Sequence, residues 1–176
     1  MVPAPLPPDE ELLTAARFRV VRRHYADADG KQHAKEVILH PGAVVVMPLL
    51  DDGRLCLIRN FRPAVGRVLV ELPAGTRDPA ELPEATAARE LREETGMTAA
   101  SWERLPGFCL SPGILNEQME VFIARGLTAG RADREPGEII DNYLVSWDEA
   151  LAMCRDGRIE DAKTLAAILR FQLTRP

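Results

Sequence analysis

The feature of this 176-residue chain that most constrains its fold is a charged segment between two glycines, at residues 75–97. If the segment is helical, Glu90, Glu93 and Glu94 stand at i, i+3 and i+4 and share one face. Their mutual repulsion destabilises a bare helix by roughly a few tenths of a kcal/mol per pair. A hard divalent cation such as Mg2+ reverses that sign, because it binds oxygen ligands. Gly75 allows a tight turn beside this face, so the Ala74 carbonyl is a further candidate ligand.

The whole segment resembles the Nudix box, G-x5-E-x7-R-E-U-x-E-E-x-G-U, in which U is a bulky aliphatic residue. A run such as RELREE is by itself usually a solvated helix face. Nine matched positions, however, arise by chance on the order of once in a billion starts, given average composition. The chain is therefore identified by resemblance as a Nudix hydrolase, on the matching residues Gly75, Glu81, Arg89, Glu90, Leu91, Glu93, Glu94, Gly96 and Met97.

The resemblance implies a metal-dependent hydrolase of nucleoside diphosphates linked to another moiety. Glu90 and Glu94 would be the main ligands of Mg2+, or of Mn2+, with Glu93 assisting and the Ala74 carbonyl completing the site. Arg89 stands four residues before Glu93, so it can hold that carboxylate, and both are predicted to be catalytic. We expect the Glu94 side chain to face solvent.

The sequences around the box narrow the resemblance to the ADP-ribose pyrophosphatase branch. They are HPGAVVVMPLL, RNFRPAV, VELPAG and SPGILNE, and Pro112 stands fifteen residues beyond Met97 as in that branch. The resemblance implies substrate-binding roles for four residues, namely Arg62, Glu71, Pro112 and Glu117. The alternatives are a surface salt bridge for Arg62, a simple arginine partner for Glu71 and an exposed loop charge for Glu117.

In this branch a glutamate on a mobile loop acts as general base, and its position here corresponds to Glu138. Glu135 and Glu117 are the alternatives. The expected reaction is hydrolysis of ADP-ribose to AMP and ribose 5-phosphate. The preferred base is left open, because Trp102 and Trp147 lie outside the N-terminal strands that often stack the adenine. Another nucleoside diphosphate sugar is an alternative substrate, and a non-catalytic ligand-sensing Nudix module is the rival function.

Apolar patterning predicts an α+β fold of the Nudix type: a mixed β-sheet between helices, preceded by an N-terminal antiparallel strand pair. The pair is expected at residues 18–25 and 34–40, and a hairpin is expected from residues 43–50 and 55–58. Pro83 suits the first turn of a helix that ends at Gly96. Further strands are predicted at residues 68–72, 102–108, 119–124 and 139–145, and further helices at residues 146–155 and 162–173.

Two parts are predicted: residues 1–40, an arm and strands that mediate dimerisation, and residues 41–176, the Nudix domain. The predicted hairpin has no partner strand of its own, and an isolated hairpin is marginal in water, so we expect a homodimer. A formal net charge of −5 without a basic run disfavours nucleic acid as a partner. The N-terminus resembles no signal peptide and no segment suits a membrane helix, so a cytoplasmic location without membrane association is expected.

Overall fold

The computed structural model describes residues 6–134 and 137–174. Ten strands are found there: β1 Glu10–Thr14, β2 Arg19–Ala26, β3 Gln32–Leu39, β4 Ala43–Pro48, β5 Leu55–Arg62, β6 Arg67–Glu71, β7 Ala74–Thr76, β8 Met97–Cys109, β9 Gln118–Ala129 and β10 Ile140–Val145. The helical elements are α1 Pro83–Glu90, a π-helical turn Leu91–Thr95, α2 Trp147–Asp156 and α3 Ala162–Thr174. We call residues 83–95, α1 together with the π-helical turn, the box helix.

The strands form three sheets, with the orders β1-β2-β3, β10-β5-β6 and β7-β4-β9-β8. The third sheet is mixed, since β4 runs parallel to β9 and antiparallel to β7. Helices cover both of its faces, which explains why every residue of β4 is buried. Val44 and Val46 pack towards the box helix, whereas Val45 and Met47 pack into the core with α2 and α3. The predicted α+β fold with a mixed sheet between helices is confirmed.

The N-terminal sheet is larger than the predicted strand pair, because β1 adds a third antiparallel strand beside β2. All five side chains of β1 are exposed, so its sequence EELLT carries no alternating burial pattern that would reveal a strand. Ion pairs cross between β1 and β2, among them Arg22 Nη1 to Glu10 Oε2 at 2.9 Å. The argument that the hairpin lacks a partner strand was therefore wrong.

The predicted hairpin of residues 43–50 and 55–58 is also wrong. The chain does turn at Gly53, whose φ is +82°. The two strands then diverge, because β4 joins the mixed sheet and β5 pairs with β6 and β10. Only one bridge, between Leu49 and Leu55, joins them. A turn signal therefore fixes where the chain reverses but not which strands pair afterwards.

The box helix begins at Pro83 as predicted and ends before Gly96, which has a left-handed φ of +76°. Its last turn is π-helical rather than α-helical, a feature that periodicity does not reveal. Ser146 accepts a hydrogen bond from the Glu149 amide and starts α2, as the capping motif predicts. Within residues 6–134 and 137–174, no helix is long and apolar enough to span a bilayer.

Candidate active site

Glu94 is the most buried of the three clustered carboxylates Glu90, Glu93 and Glu94 of the box helix, with 3% of its surface exposed. Its Oε2 accepts a hydrogen bond of 2.9 Å from the backbone amide of Ala74 on β7. Burial raises the pKa of Glu94 to about 8, and the charges of Glu90 and Glu138 act in the same direction. The expectation that Glu94 faces solvent was wrong, because β7 packs over the helix face on which it lies.

Arg89 organises the remaining charges of the box. Its Nη1 donates to Glu90 at 2.7 Å and to Glu93 at 3.0 Å, so the predicted contact with Glu93 is present. On its other side the guanidinium donates to both carboxylate oxygens of Glu81 and to the carbonyl of Thr76. The box positions Glu81 and Arg89 therefore form one support that holds the Glu90 and Glu93 carboxylates at the start of β7.

Gly75 gives the Glu90 carboxylate its place against the backbone. A Cβ atom built on Gly75 would lie 1.8 Å from Glu90 Oε1, so any side chain there would displace the carboxylate. Burial raises the pKa of Glu90, an effect that the neighbouring Arg89 opposes. The glycine of the box is thus required by close approach, since its φ lies outside the left-handed region.

A second charged cluster lies under the opposite wall. Glu71 is fully buried and accepts two-pronged hydrogen bonds from Arg62, the closest being 2.6 Å from Nη2. Lys163 on α3 donates to the same carboxylate at 2.7 Å and to Asp161 at 2.9 Å. Burial alone would raise the pKa of Glu71, but Arg62 and Lys163 outweigh it and hold that pKa below its usual value. Glu71 therefore supports two cations from beneath.

Both clusters border one cavity of about 250 Å³. Its described lining holds five glutamates and three cations: Glu90, Glu93, Glu94, Glu117, Glu138, Arg17, Arg62 and Lys163. Ala74 and Gly75 contribute backbone to the same wall. Carboxylates and cations thus face the same space, an arrangement that suits an anionic ligand bound together with a divalent cation.

The cavity brings together most of the residues singled out from sequence. Glu117 is nearly buried, with its Oε1 3.4 Å from His40 Nδ1, so it is not an exposed loop charge. The described lining includes neither Glu71, which lies behind Arg62, nor Pro112, which is exposed. Glu138 reaches the cavity from the connection between β9 and β10. Its rival Glu135 lies outside the described residues.

Two charged residues of the cavity lining escaped the sequence analysis. Arg17 lies in the connection between β1 and β2 and lines the cavity, so the N-terminal sheet adjoins the edge of the cavity. Lys163 lies at the start of α3, 92 residues beyond the Glu71 that it contacts. Neither belongs to a recognisable motif. The only available signal for Lys163 is Asp161, whose Oδ2 accepts from the Thr164 amide and so marks a helix start.

The carboxylates of the box suit a hard divalent cation. The carboxylates of Glu90, Glu93 and Glu94 lie beside β7, the strand that carries Ala74. The two most buried of them, Glu90 and Glu94, have raised pKa values that a nearby cation would lower. Within the described residues no three acidic, His or Cys side chains form a ready-made metal cluster. Arg89 instead engages Glu90 and Glu93, and the Ala74 amide engages Glu94.

Comparison with known proteins agrees with this geometry. Residues 39–168 match the NUDIX domain family. An ADP-ribose pyrophosphatase of Bacillus subtilis is 38% identical over 82% of this chain and 80% of its own length. A methanol dehydrogenase activator of Bacillus methanolicus is 34% identical over 88% of this chain and 86% of its own. A GDP-mannose pyrophosphatase of Cronobacter sakazakii is 33% identical over 84% and 82%.

The fold has a solved counterpart in an ADP compounds hydrolase, with a TM-score of 0.84 and 20% identity over 96% of this chain and 92% of that one. The match to the family covers most of the chain, and the relatives share more than 30% of their residues over most of both lengths. The chain therefore belongs to the NUDIX domain family. It is a Nudix hydrolase, an enzyme that acts on a diphosphate anhydride.

Proposed function

We propose that this enzyme is a Mg2+-dependent pyrophosphatase that hydrolyses ADP-ribose to AMP and ribose 5-phosphate. The observation that carries the proposal is the shared cavity, in which the box carboxylates face Arg62, Lys163 and Glu138. The name of the Bacillus subtilis relative supports ADP-ribose as the substrate. Another nucleoside diphosphate sugar is the alternative, and the GDP-mannose pyrophosphatase among the relatives favours testing it directly.

In this proposal the box holds the metal. Glu90, Glu93 and Glu94, with the Ala74 carbonyl, would bind Mg2+, or Mn2+, beside the diphosphate. When bound, the ion neutralises phosphate charge and acidifies water. The guanidinium of Arg89 positions Glu90 and Glu93. Because Glu81 also holds Arg89, the guanidinium would stay in place when a metal ion binds the carboxylate oxygens of Glu90 or Glu93.

The opposite wall binds the substrate. Arg62 and the ammonium group of Lys163 would contact the diphosphate oxygens, and Glu71 keeps both cations aimed at the cavity. Arg17 would add a third cation from the side of the N-terminal sheet. We keep a substrate-binding role for Glu117, which lines the cavity, and for Pro112 at its periphery.

Hydrolysis needs a proton acceptor. A water oxygen forms a bond to one phosphorus, the anhydride P–O bond breaks, and the water proton passes to the Glu138 carboxylate. Glu138 suits this step because it lies on a different segment from the box carboxylates and lines the same cavity. Glu117 is the described alternative, and it is engaged with His40.

The test is a turnover assay with a panel of nucleoside diphosphate sugars, with Mg2+ and then with Mn2+, and with products identified by phosphorus NMR. We expect ADP-ribose to be turned over fastest and to give AMP and ribose 5-phosphate. A faster reaction with a guanine nucleotide would make that nucleotide the assigned substrate in place of ADP-ribose and would leave the type of reaction unchanged. Binding of ADP-ribose without any hydrolysis would reject the enzyme assignment in favour of a ligand-sensing module.

We also propose that the enzyme is a homodimer joined through residues 1–40, with residues 41–176 forming the Nudix domain. The N-terminal sheet supports this, because its exposed apolar side chains include Leu13 at 53% and Tyr25 at 46%. In β2 only Val21 is buried. Light scattering should give twice the 19.5 kDa of the chain. A mass of one chain at micromolar concentration would reject the dimer.

A further inference from the structure

The C-terminal end of the box helix is bound by the chain that leads to and from Glu138. The last carbonyls of a helix have no partners within it. Here the Asp133 amide donates to the Glu93 carbonyl at 3.0 Å, and Arg134 Nε donates to the Glu94 carbonyl at 3.3 Å. Asn142 Nδ2 donates to the Thr95 carbonyl at 2.8 Å. We call these three hydrogen bonds the helix-end contacts.

Gly96 allows this close approach. A Cβ atom at Gly96 would lie 2.7 Å from both the Ala132 amide nitrogen and the Gly130 carbonyl oxygen. With its φ of +76° as well, no other residue fits there without displacing the backbone of residues 130–132. The box glycine therefore ends the helix and also admits the start of the β9–β10 connection.

The helix-end contacts lie on both sides of Glu138. Asp133 and Arg134 precede it, and Asn142, on β10, follows it. The carbonyls they engage belong to Glu93, Glu94 and Thr95, so the carboxylates of the box and the base segment share one anchor. We propose that Arg134 and Asn142 are positioning residues that anchor the two sides of the segment carrying Glu138 to the end of the box helix, and so limit where Glu138 can lie relative to the box carboxylates. This rests on the proposed function, in which Glu138 accepts the proton.

Two properties separate this role from simple stabilisation. Arg134 and Asn142 are both exposed, so their loss leaves the core intact. The pairing of β10 with β5 along residues 140–145 also survives, because it depends on backbone hydrogen bonds. What changes is the freedom of the Glu138 carboxylate, and displacement of a reacting group by about 1 Å can cost ~100-fold in rate.

The experiment uses the full chain with Arg134→Ala and Asn142→Ala combined. Arg170→Ala is the matched control, since Arg170 also donates to backbone carbonyls, those of Pro106 and Gly107, away from the cavity. We expect kcat to fall roughly 10-fold with KM changed less than about twofold. The control should keep wild-type kcat. A wild-type kcat in the double variant overturns the proposal.

Repeating the double change in a Glu138→Gln background shows whether the contacts act through Glu138. Coupled residues are not additive, so we expect no further loss of kcat there. An equal further loss would show that the contacts act elsewhere, and the proposal fails. Hydrogen exchange separates this from failure of the proposed function. If the wild type hydrolyses no nucleoside diphosphate sugar, faster exchange at residues 137–140 in the double variant still supports the positioning role, and unchanged exchange overturns it.

Discussion

Arginine–carboxylate pairs occur in two regions of this enzyme with opposite surroundings. In the box helix, Arg89 is 26% exposed and its partner Glu90 only 12%. In the N-terminal sheet, Arg23 and Asp9 make an equally short pair of 2.7 Å, but their side chains are 44% and 33% exposed. Water screens the second pair and largely not the first. The same contact therefore has different consequences in the two places.

The two regions also differ in the surroundings that their ion pairs give to the carboxylates. Ion pairs in the N-terminal sheet favour the pairing of particular strands, and their carboxylates remain exposed to solvent. Around the cavity, burial raises the pKa values of Glu90 and Glu94, and repulsion from neighbouring glutamates adds to that effect. Such an arrangement costs stability, and groups with shifted pKa values of this kind cluster at functional sites, as the proposed function requires. Four substitutions, in decreasing order of expected effect, test this contrast.

Glu138→Gln should have the largest effect, because it removes the proposed proton acceptor while keeping the shape of the side chain. We expect kcat to fall by ~10^2–10^4 with a much smaller change in KM. The measurement is a full pH–rate profile beside those of Glu117→Gln and Glu135→Gln. If Glu138→Gln retains its activity and one of the other two variants is crippled, the base is assigned to that residue instead.

Glu94→Gln should lower kcat by at least ~100-fold at saturating Mg2+, because a proposed metal ligand is lost. Glutamine still accepts from the Ala74 amide and removes one buried negative charge. The metal-free variant should therefore be no less stable than the wild type to urea. Glu84→Gln, on an exposed position of the same helix, is the control and should leave both quantities unchanged. Near-normal turnover would sink the ligand assignment.

Glu71→Gln should destabilise the fold by roughly 2–4 kcal/mol at pH 7, since it leaves Arg62 and Lys163 without their buried partner. The pKa of Glu71 is held below its ordinary value of 4.5, so its stabilising contribution is complete above that value. It is lost as the pH falls through the lower, folded-state pKa. Urea unfolding should thus show that the gap in stability between variant and wild type narrows as the pH falls below 4.5. A gap independent of pH would contradict the ionic account.

Arg23→Ala should have the smallest effect. Its exposed pair with Asp9 is screened by water, so we expect the melting temperature to stay within about 3 °C of the wild type. Added salt should change the difference little. A drop as large as that for Glu71→Gln would mean that the N-terminal ion pairs are as consequential as the buried ones, and the contrast between the regions would fail.

The box could be predicted because its chemistry is local. The spacing of Glu90, Glu93 and Glu94 fixes a common helix face, and the contact from Arg89 to Glu93 follows from the same periodicity. Periodicity does not tell what packs on that face, so the burial of Glu94 under β7 was missed. The π-helical turn was missed for a related reason, since its residues are also good α-helix formers.

The remaining errors arise from distant partners. Lys163 meets Glu71 across 92 positions, and no local pattern encodes such a contact. Strand β1 was missed because it is exposed on all sides and held by ion pairs. The prediction of a β4–β5 hairpin was wrong because β4 pairs with β9 instead of with β5. Local spacing was therefore enough to predict the helix of the box and the contact from Arg89 to Glu93, whereas long-range pairing was predicted poorly.

The parallel pairing of β4 with β9 has a consequence for how the enzyme folds. Its first matched residues, Ala43 and Met119, lie in the sequence before and after the box, so the central sheet closes only after the intervening chain is made. A contact between residues so far apart in sequence raises the contact order. Folding is expected to be slow because closing so long a loop costs entropy before any contact compensates for it. The box is enclosed by that loop. We therefore expect no fragment ending before β9 to bind metal, and the amides of β4 to exchange only through global unfolding.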